Sequence, residues 1–224
     1  MRFKTVFQAA SDEFVEKKSR FIGMAFPVET EEEILSILER LRKEYWNATH
    51  NGVYAYSIGI RKEVRRFSDD GEPVHTAGMP LLNLLQGEDL HNTLLVVVRY
   101  FGGTLLGTGG LVRAYGHAGR IALDQAGIIE KCSYLRASLR MEYTALGKMQ
   151  YGLMQDGYSI EDTIYTDQVE MKVLVPLEEQ DQFTKRVTSL SEGRIAPVYE
   201  TEVLAAEYEG QWHFYDIPAS EEDN

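Results

Sequence analysis

Cysteine is almost absent from this chain: Cys132 is the only one among 224 residues. A single cysteine cannot form an intramolecular disulfide, so the sequence indicates a fold suited to a reducing compartment. A structural zinc site built on two or more cysteines is excluded for the same reason. We therefore expect an apolar core to stabilise the fold, and 44% of the residues are apolar.

Long hydrophobic runs are also missing. No apolar stretch approaches the roughly 18–20 residues that a membrane-spanning helix needs. The first residues, M-R-F-K-T-V-F, lack the apolar segment of a signal peptide. These two absences predict a cytoplasmic protein without a membrane partner. They do not indicate an oligomeric state.

Positive charge is scarce and unevenly spread. The chain has 23 Lys and Arg residues against 35 Asp and Glu residues, a net charge of −12. Residues 1–135 hold 16 of the basic residues and 17 of the acidic ones, whereas residues 136–224 hold 7 and 18. The second part should therefore repel nucleic acid, while the first part can bind it locally.

One stretch in the middle of the chain organises the rest. The apolar run Leu94 to Val98 predicts a buried strand. From Leu111 to Gln125 the apolar residues recur with the period of a helix that buries one face. A loop rich in glycine separates the two. We therefore predict a strand, a glycine-rich loop and a helix in succession.

The glycine-rich loop has two interpretations. Free amides at the start of a helix favour anions, and Arg99 and Arg113 flank the loop, so it can form a phosphate cradle. Alternatively, the glycines serve positive φ angles and close packing. The loop lacks the lysine of a P-loop and the third glycine of a dinucleotide-binding motif, so neither ATP nor a dinucleotide cofactor is predicted. Its glycines are Gly102, Gly103, Gly107, Gly109 and Gly110.

The remaining pattern alternates strands and helices. Thr30 and Glu33 form a capping box that opens a predicted helix up to Tyr45. The alternation from Gly52 to Ile60 predicts a strand with an aromatic face. The other elements predicted before the central strand are strands around residues 3–7, 13–16 and 20–26, a short strand at 65–67 that pairs with 52–60, and a helix over 79–86.

Beyond a connector at 127–133, the order of predicted elements is βαββαβ, which is typical of a ferredoxin-like domain. The elements are strand 139–143, helix 147–155, strands 158–165 and 169–175, helix 176–191 and strand 194–206. We also predict an added edge strand at residues 212–215 and an acidic tail at residues 220–224.

Three carboxylates, Asp69, Asp70 and Glu72, lie within four positions. Clustered carboxylates can hold Mg²⁺ or share a proton. The same residues suit a turn, because D-D-G-E-P is rich in turn formers. His50 and His75 lie in loops beside predicted strands but have no ligand spacing with the other histidines. No serine or cysteine is paired with a base, so we predict no catalytic residue. No second set of carboxylates at helical spacing supports a metal site, so no resident metal is predicted.

Basic residues cluster at the ends of predicted strands, which we expect to be neighbours, together with aromatic residues. Such a surface suits RNA, because cations contact phosphates and rings stack on bases. The acidic neighbours Glu13, Glu16 and Glu63 favour the alternative of solvated strand ends. The residues predicted to contact an anion or nucleic acid, in addition to the loop glycines with Arg99 and Arg113, are Lys18, Arg20, Tyr54 and Tyr56. Lys17, Arg61, Lys62, Arg65, Arg66 and Tyr100 belong to the same clusters.

Four long motifs, in order along residues 11–125, resemble the IMPACT family. They are F-V-E-K-K-S-R-F-I-G, N-A-T-H-N-G-V-Y-A-Y, R-F-S-D-D-G-E-P-V-H-T-A-G-M-P-L-L and V-V-V-R-Y-F-G-G-T-L-L-G-T-G-G-L-V-R-A-Y. The residues of the second and third motifs expected at the family's loops are His50, Asp69, Asp70, Gly71, Glu72, Pro73, Thr76 and Gly78. The chain departs from the family pattern at His75, where a small residue is usual.

The resemblance implies an α+β protein of two domains, 1–132 and 133–224. The first is similar to domain IV of elongation factor G, a two-layer α/β fold with a left-handed βαβ crossover, against the usual hand. The second is similar to domain V of that factor and is ferredoxin-like.

The resemblance also implies a role in translation or its regulation. Eukaryotic members regulate translation through an additional N-terminal domain that this chain lacks, so their mechanism does not transfer. The leading hypothesis is a non-enzymatic protein that binds RNA or the ribosome through its first domain. The alternative is a metal-dependent phosphate-ester or nucleotide hydrolase that uses Asp69, Asp70 and Glu72 beside the glycine-rich loop. A third interpretation is a regulator that binds a protein partner in translation control.

Overall fold

The computed structural model describes residues 1–217, which form two compact units. The first unit comprises residues 3–130, and the second comprises residues 1–2 and the chain from Lys131 onward. The two units contain α and β structure with one main sheet each, as predicted for an α+β protein. Within 1–217, no helix combines the length and the apolar character that crossing a membrane requires.

The first unit contains strands β1 to β6 and helices α1 to α3. Their bounds are β1 Arg2–Val6, β2 Ala10–Glu16, β3 Ser19–Pro27, α1 Glu31–Glu44, β4 His50–Ile58, β5 Val64–Ser68, α2 Gly78–Gly87, β6 Thr93–Tyr100 and α3 Thr108–Ala126. Thr30 and Glu33 form the predicted capping box at the start of α1. The predicted pairing of the short strand β5 with β4 is also confirmed.

An antiparallel sheet of order β2-β3-β6-β4-β5 organises this unit, with the predicted buried strand β6 at its centre. Helix α1 covers one face, where it packs on Met24, Tyr56 and Val96. Helices α2 and α3 cover the other face. Helix α3 lies so close to β3 that a Cβ on Gly23 would fall 2.0 Å from the Ala118 carbonyl oxygen. This contact fixes how closely the middle of α3 packs on the sheet.

The second unit follows the predicted βαββαβ order with one added strand. Its elements are β7 Ile128–Met141, α4 Tyr143–Gln155, β8 Ser159–Tyr165, β9 Val169–Pro176, α5 Gln180–Ser191, β10 Val198–Tyr208 and β11 Gln211–Tyr215, with a short 3₁₀ turn at Leu177–Glu179. The strands are antiparallel in the order β11-β10-β7-β9-β8, and α4 and α5 bury one face of this sheet. The predicted edge strand is confirmed as β11. The predicted acidic tail lies outside the described residues.

Three predicted boundaries are wrong. The connector expected at 127–133 is largely the beginning of β7, which starts at Ile128 and pairs with β10 at Cys132 and Ser133. Tyr143, expected at a strand end, is the first residue of α4. Helix α3 also begins earlier than its apolar period suggests, so Gly109 and Gly110 lie in its first turn rather than in the loop.

Candidate functional site

Four motif segments meet at one end of the first unit's sheet. The strand register pairs Arg20 with Tyr100 and His50 with Arg99, and it pairs Tyr54 with Ser68 nearby. The turn before β3, the start of β4, the loop after β5 and the loop after β6 therefore lie together. We call this the motif end, formed by residues 17–19, 49–52, 68–78 and 100–110.

A buried ion pair joins two of these segments. The Glu72 carboxylate accepts a hydrogen bond from Arg99 Nη1 at 2.5 Å and another from Tyr115 Oη at 2.7 Å. All three side chains are buried. Burial, together with the adjacent Glu72 charge, raises the pKa of Tyr115, so its hydroxyl remains a donor at neutral pH. The carboxylate loop and the glycine-rich loop are therefore tied to each other through Glu72.

Arg99 is only 4% exposed and lies between aromatic rings. Its guanidinium is 5.3 Å from the ring centroid of Phe21 and 5.4 Å from that of Phe101. Nη2 reaches Ser19 Oγ at 3.4 Å, while Nε has no hydrogen-bond partner. Since its charge is already matched by Glu72, Arg99 is placed to support the loops rather than to face solvent. Its predicted contact with an anion stays a prediction.

The carboxylates of Asp69 and Asp70 point to separate backbone amides. Asp69 Oδ1 accepts from the amides of Ala77 and Gly78 at 3.0 and 2.8 Å, which caps α2 from a distance. Asp70 Oδ2 accepts from Asn51 and Gly52 at 3.0 and 2.8 Å. With Glu72 held by Arg99, the three carboxylates do not converge. Across residues 1–217, no group of three acidic, histidine or cysteine side chains is arranged to hold a metal ion.

The two loop histidines have different surroundings. His50 Nδ1 lies 2.8 Å from the Asp70 carbonyl oxygen, and its Nε2 lies 3.6 Å from Glu72 Oε1. It therefore belongs to the buried cluster at the motif end. His75 is exposed and has a φ of +63°. This left-handed conformation favours glycine, which gives a physical reason for a small residue at this position of the family pattern.

The remaining motif residues shape the loop after β5. Gly71 has a φ of +84°, and the hydroxyl of Thr76 donates to the Pro73 carbonyl at 2.6 Å. A Cβ on Gly78 would lie 2.5 Å from the Ser68 carbonyl oxygen, so only glycine lets α2 begin this close to β5. These contacts give the loop a fixed path between Asp69 and α2.

A two-residue turn of lysines joins β2 to β3. Glu16 pairs with Ser19, and both Lys17 and Lys18 have positive φ angles, +45° and +66°. Turns of this kind favour Asn-Gly, and a left-handed residue with a side chain costs roughly 1–2 kcal/mol. Gly102 packs against this turn: a Cβ there would lie 2.1 Å from the Lys18 carbonyl oxygen. The loop after β6 thus holds the lysine turn in place.

The glycine-rich loop leads into an uncapped helix. Gly103 and Gly107 adopt φ angles of +82° and +75°, in the region of backbone conformation that favours glycine. No side chain caps α3, and the first amide to bond inside it is that of Leu111, to the Gly107 carbonyl at 2.9 Å. The amides of residues 108–110 consequently have no partner within the helix.

A groove of about 230 Å³ lies between this helix and the lysine turn. Lys17, Arg113 and His117 line it together with Gly110 and the apolar Leu106. Among residues 1–217, neither Lys17 nor Arg113 has an ion-pair or hydrogen-bond partner for its side chain. The groove also contains Glu16, which offsets one positive charge. Two unpaired cations beside an uncapped helix form an arrangement that attracts anions.

Other predicted contact residues are engaged elsewhere. Arg20 pairs with Glu13 and lies over the Tyr100 ring at 5.8 Å. Tyr56 is 4% exposed, stacks on Tyr54 at 6.0 Å and donates to a Glu31 oxygen at 2.7 Å. Burial, aided by this carboxylate, raises the pKa of Tyr56 to about 12.

The basic clusters do not form one surface, and the expectation of neighbouring strand ends is wrong. The turn with Arg61 and Lys62 joins the end of β4 to β5, at the end of the sheet opposite the lysine turn. Arg65 pairs with Glu63, and Arg66 pairs with Glu31. Lys18, which is exposed, remains at the motif end beside Lys17.

The prediction from sequence missed three exposed apolar side chains at the motif end. They are Val74, Phe101 and Leu105, whose exposed fractions are 78%, 44% and 82%, respectively. Their signal in the sequence is an apolar residue inside a polar or glycine-rich loop, where no core-facing period explains it. Lys17, which lines the groove, was expected only as a member of a basic cluster.

Comparison with known proteins agrees with this architecture. Residues 17–123 match the family model described as the Impact N-terminal domain, and residues 139–194 match a domain of unknown function, DUF1949. A crystal structure described as that of a hypothetical protein is similar, with a TM-score of 0.56 and 32% identity over 89% of this chain and 98% of that one.

Two bacterial relatives are similar over most of their length. IMPACT family member YvyE of Bacillus subtilis is 38% identical over 190 residues, which cover 85% of this chain and 87% of the relative. IMPACT family member YigZ of Escherichia coli is 36% identical over 181 residues, covering 80% and 88%. The chain belongs to the IMPACT family.

Proposed function

We propose that this chain is a non-enzymatic cytoplasmic protein of the translation system that binds RNA, including ribosomal RNA, through the motif end of its first unit. The observation that carries the proposal is the pair of unpaired cations, Lys17 and Arg113, in the groove beside the start of α3. The translation context comes from the family resemblance. The likeness to domains IV and V of elongation factor G, including the left-handed crossover, is part of the same proposal.

The groove suits a phosphate group. Lys17 and Arg113 supply charge that no carboxylate in residues 1–217 neutralises through an ion pair. The unbonded amides of residues 108–110 add donors and the positive end of the helix dipole. The strongly acidic sequence beyond residue 135 repels other nucleic acid, so binding is confined to the first unit.

The hydrolase alternative has less support. It requires carboxylates that converge on a metal ion near the phosphate. Asp69 and Asp70 are instead occupied by backbone amides, and Glu72 is buried against Arg99. A screen for Mg²⁺-dependent turnover of phosphate esters tests it: our proposal predicts no turnover, whereas turnover that Asp70→Asn abolishes would establish the hydrolase.

The direct test of RNA binding is the salt dependence of affinity. Fluorescence anisotropy with a labelled RNA measures the dissociation constant between about 50 and 200 mM salt. We expect Arg113→Gln to weaken binding and to reduce the slope of log K against log salt by about one. The matched control is Arg61→Gln, an exposed arginine at the opposite end of the sheet, which should change neither value. An unchanged slope in Arg113→Gln contradicts the proposed site.

A further inference from the structure

The motif end combines exposed apolar side chains with unpaired cations. Val74, Phe101 and Leu105 project from the loops after β5 and β6. Single exposed apolar residues are ordinary, but three on loops that converge at one buried ion pair form a surface feature. Glu72 and Arg99, the two residues of that ion pair, lie two positions before Val74 and Phe101 in the chain. The same end of the unit therefore presents apolar and positively charged groups.

The loops that present these side chains are held in place. The Phe101 amide donates to Thr49 Oγ1 at 2.9 Å, and the Phe101 ring lies 5.4 Å from the Arg99 guanidinium carbon. The loop of Val74 is fixed at one side by Glu72 and at the other by the amide of His75, which donates to Asp69 at 2.8 Å. A surface that is ordered before binding loses little conformational freedom when a ligand arrives.

The apolar residues adjoin the cationic groove along the chain. Leu105 immediately precedes Leu106, which lines the groove with Lys17 and Arg113. Phe101 immediately precedes Gly102, which packs on the backbone of Lys18. A ligand seated here meets positive charge and apolar surface within a few residues of each other.

Unpaired RNA has the matching chemistry. A single strand presents phosphates and splayed bases together, whereas a duplex hides its bases and is recognised by shape along about 16 base pairs. At the motif end, Arg20 is paired with Glu13. Lys17 and Arg113 line a groove of only about 230 Å³, which suits a short stretch of single strand better than a span of that length.

We infer that the motif end binds single-stranded RNA, with phosphates at Lys17 and Arg113 and bases against Phe101 and Leu105. This inference rests on the proposed function and specifies its ligand. It differs from the sequence prediction, in which Tyr54 and Tyr56 stack on bases.

The experiment compares two labelled RNAs by anisotropy: a single strand of roughly 16 nucleotides and a duplex of the same sequence. We expect the wild-type protein to bind the single strand at least about tenfold more tightly than the duplex. Phe101→Ala should weaken single-strand binding about tenfold, because one stacking contact is lost, and leave the salt slope unchanged. Leu105→Ser, at a largely exposed loop position, provides a second variant that does not depend on the core.

Leu35→Ser is the matched control, since Leu35 is a 65% exposed apolar residue on α1, across the sheet from α3. It should bind as the wild type does. This inference is overturned if the wild type binds the two RNAs with equal affinity and if Phe101→Ala and Leu105→Ser bind as the wild type does. If Arg113→Gln still binds more weakly, the proposed function stands. Failure of the wild type to bind either RNA overturns both.

Discussion

Glu72 and Arg99, which are 27 positions apart in the chain, form a buried ion pair whose nitrogen and oxygen lie 2.5 Å apart. The pair connects the loop after β5 to the end of the central strand β6. Tyr115 on α3 donates to the same Glu72 oxygen, so the helix is joined as well. The motif end is therefore one connected structure, and the surface that it presents depends on this pair.

Loss of the Glu72 charge should destabilise the first unit strongly. Glu72→Gln leaves the Arg99 charge buried without a counter-ion, and breaking such a pair costs about 3–5 kcal/mol. We expect this loss in the free energy of unfolding, measured by urea denaturation. The double variant Glu72→Met with Arg99→Met removes both charges and should lose less than the single variant does.

An exposed pair supplies the control for this prediction. Glu13 and Arg20 have the same nitrogen–oxygen distance, 2.5 Å, but each side chain is about half exposed. Glu13→Gln should therefore change stability by less than about 1 kcal/mol. If Glu72→Gln were as mild as Glu13→Gln, the ion pair would not be what connects the loops.

Gly102 should tolerate no side chain. Gly102→Ala places a Cβ 2.1 Å from the Lys18 carbonyl oxygen, so the lysine turn or the loop after β6 must move. We expect a loss of about 1–3 kcal/mol in stability and weaker RNA binding. Gly116→Ala, in the middle of α3 with open space around it, should instead stabilise by up to about 1 kcal/mol. Equal effects of the two changes would contradict the close contact.

High pH should destabilise the fold through buried tyrosines. Burial raises the pKa of Tyr56 to about 12 and raises that of Tyr115 as well. In the unfolded chain tyrosines lose their protons near pH 10. Because the folded state keeps these protons, the tyrosines contribute fully to the free energy of unfolding below about pH 10. That contribution is lost as the pH rises from 10 towards 12. Urea denaturation at about pH 9 and about pH 11 measures the fall.

Tyr115→Phe isolates one contribution to this fall. The variant should be less stable than the wild type at about pH 9, because the hydrogen bond to the Glu72 carboxylate is lost, at a cost of roughly 1.5–3 kcal/mol. Its stability should then decline less between the two pH values. A decline as steep as that of the wild type would show that Tyr115 titrates normally in the folded state.

Asp69 should act as a structural cap. Asp69→Ala removes the acceptor for the amides of Ala77 and Gly78 and should cost about 1–2 kcal/mol. Asp124→Ala, at an exposed position of α3, is the control and should lie within about 0.5 kcal/mol of the wild type. If Asp69→Ala had no effect on thermal unfolding, the carboxylate would be free for another role.

Local patterns predicted most of the elements. The capping box at Thr30 and Glu33 marks the start of α1, since both hydrogen bonds are made by neighbouring residues. The alternation around Tyr54 and Tyr56 predicts the strand β4 because side chains alternate between its faces. Gly127 to Ser133 was predicted as a connector, whereas β7 begins at Ile128 and its pairing with β10 already includes Cys132 and Ser133.

The arrangement of the site could not be predicted from local patterns, because it depends on the topology of the sheet. The sequence identified both the carboxylate motif and the glycine-rich loop as candidate site segments. The contact of Glu72 with Arg99, however, follows from the order of strands in the sheet. Likewise, the pattern shows that Tyr56 shares a face with Tyr54 but not that α1 covers this face. The exposure of Phe101 and Leu105 also depends on the path of the loop after β6.

The most direct test of the account is co-sedimentation of the purified protein with ribosomes at about 50 and 200 mM salt. We predict that the wild-type protein pellets with ribosomes at the lower concentration and is released at the higher one. Less of the Arg113→Gln variant than of the wild type should pellet with ribosomes. The Arg61→Gln variant should pellet to the same extent as the wild type. Two results would contradict RNA contact through the motif end. One is the absence of the wild-type protein from the pellet at low salt, and the other is an amount of pelleted protein that changes neither with salt nor in Arg113→Gln.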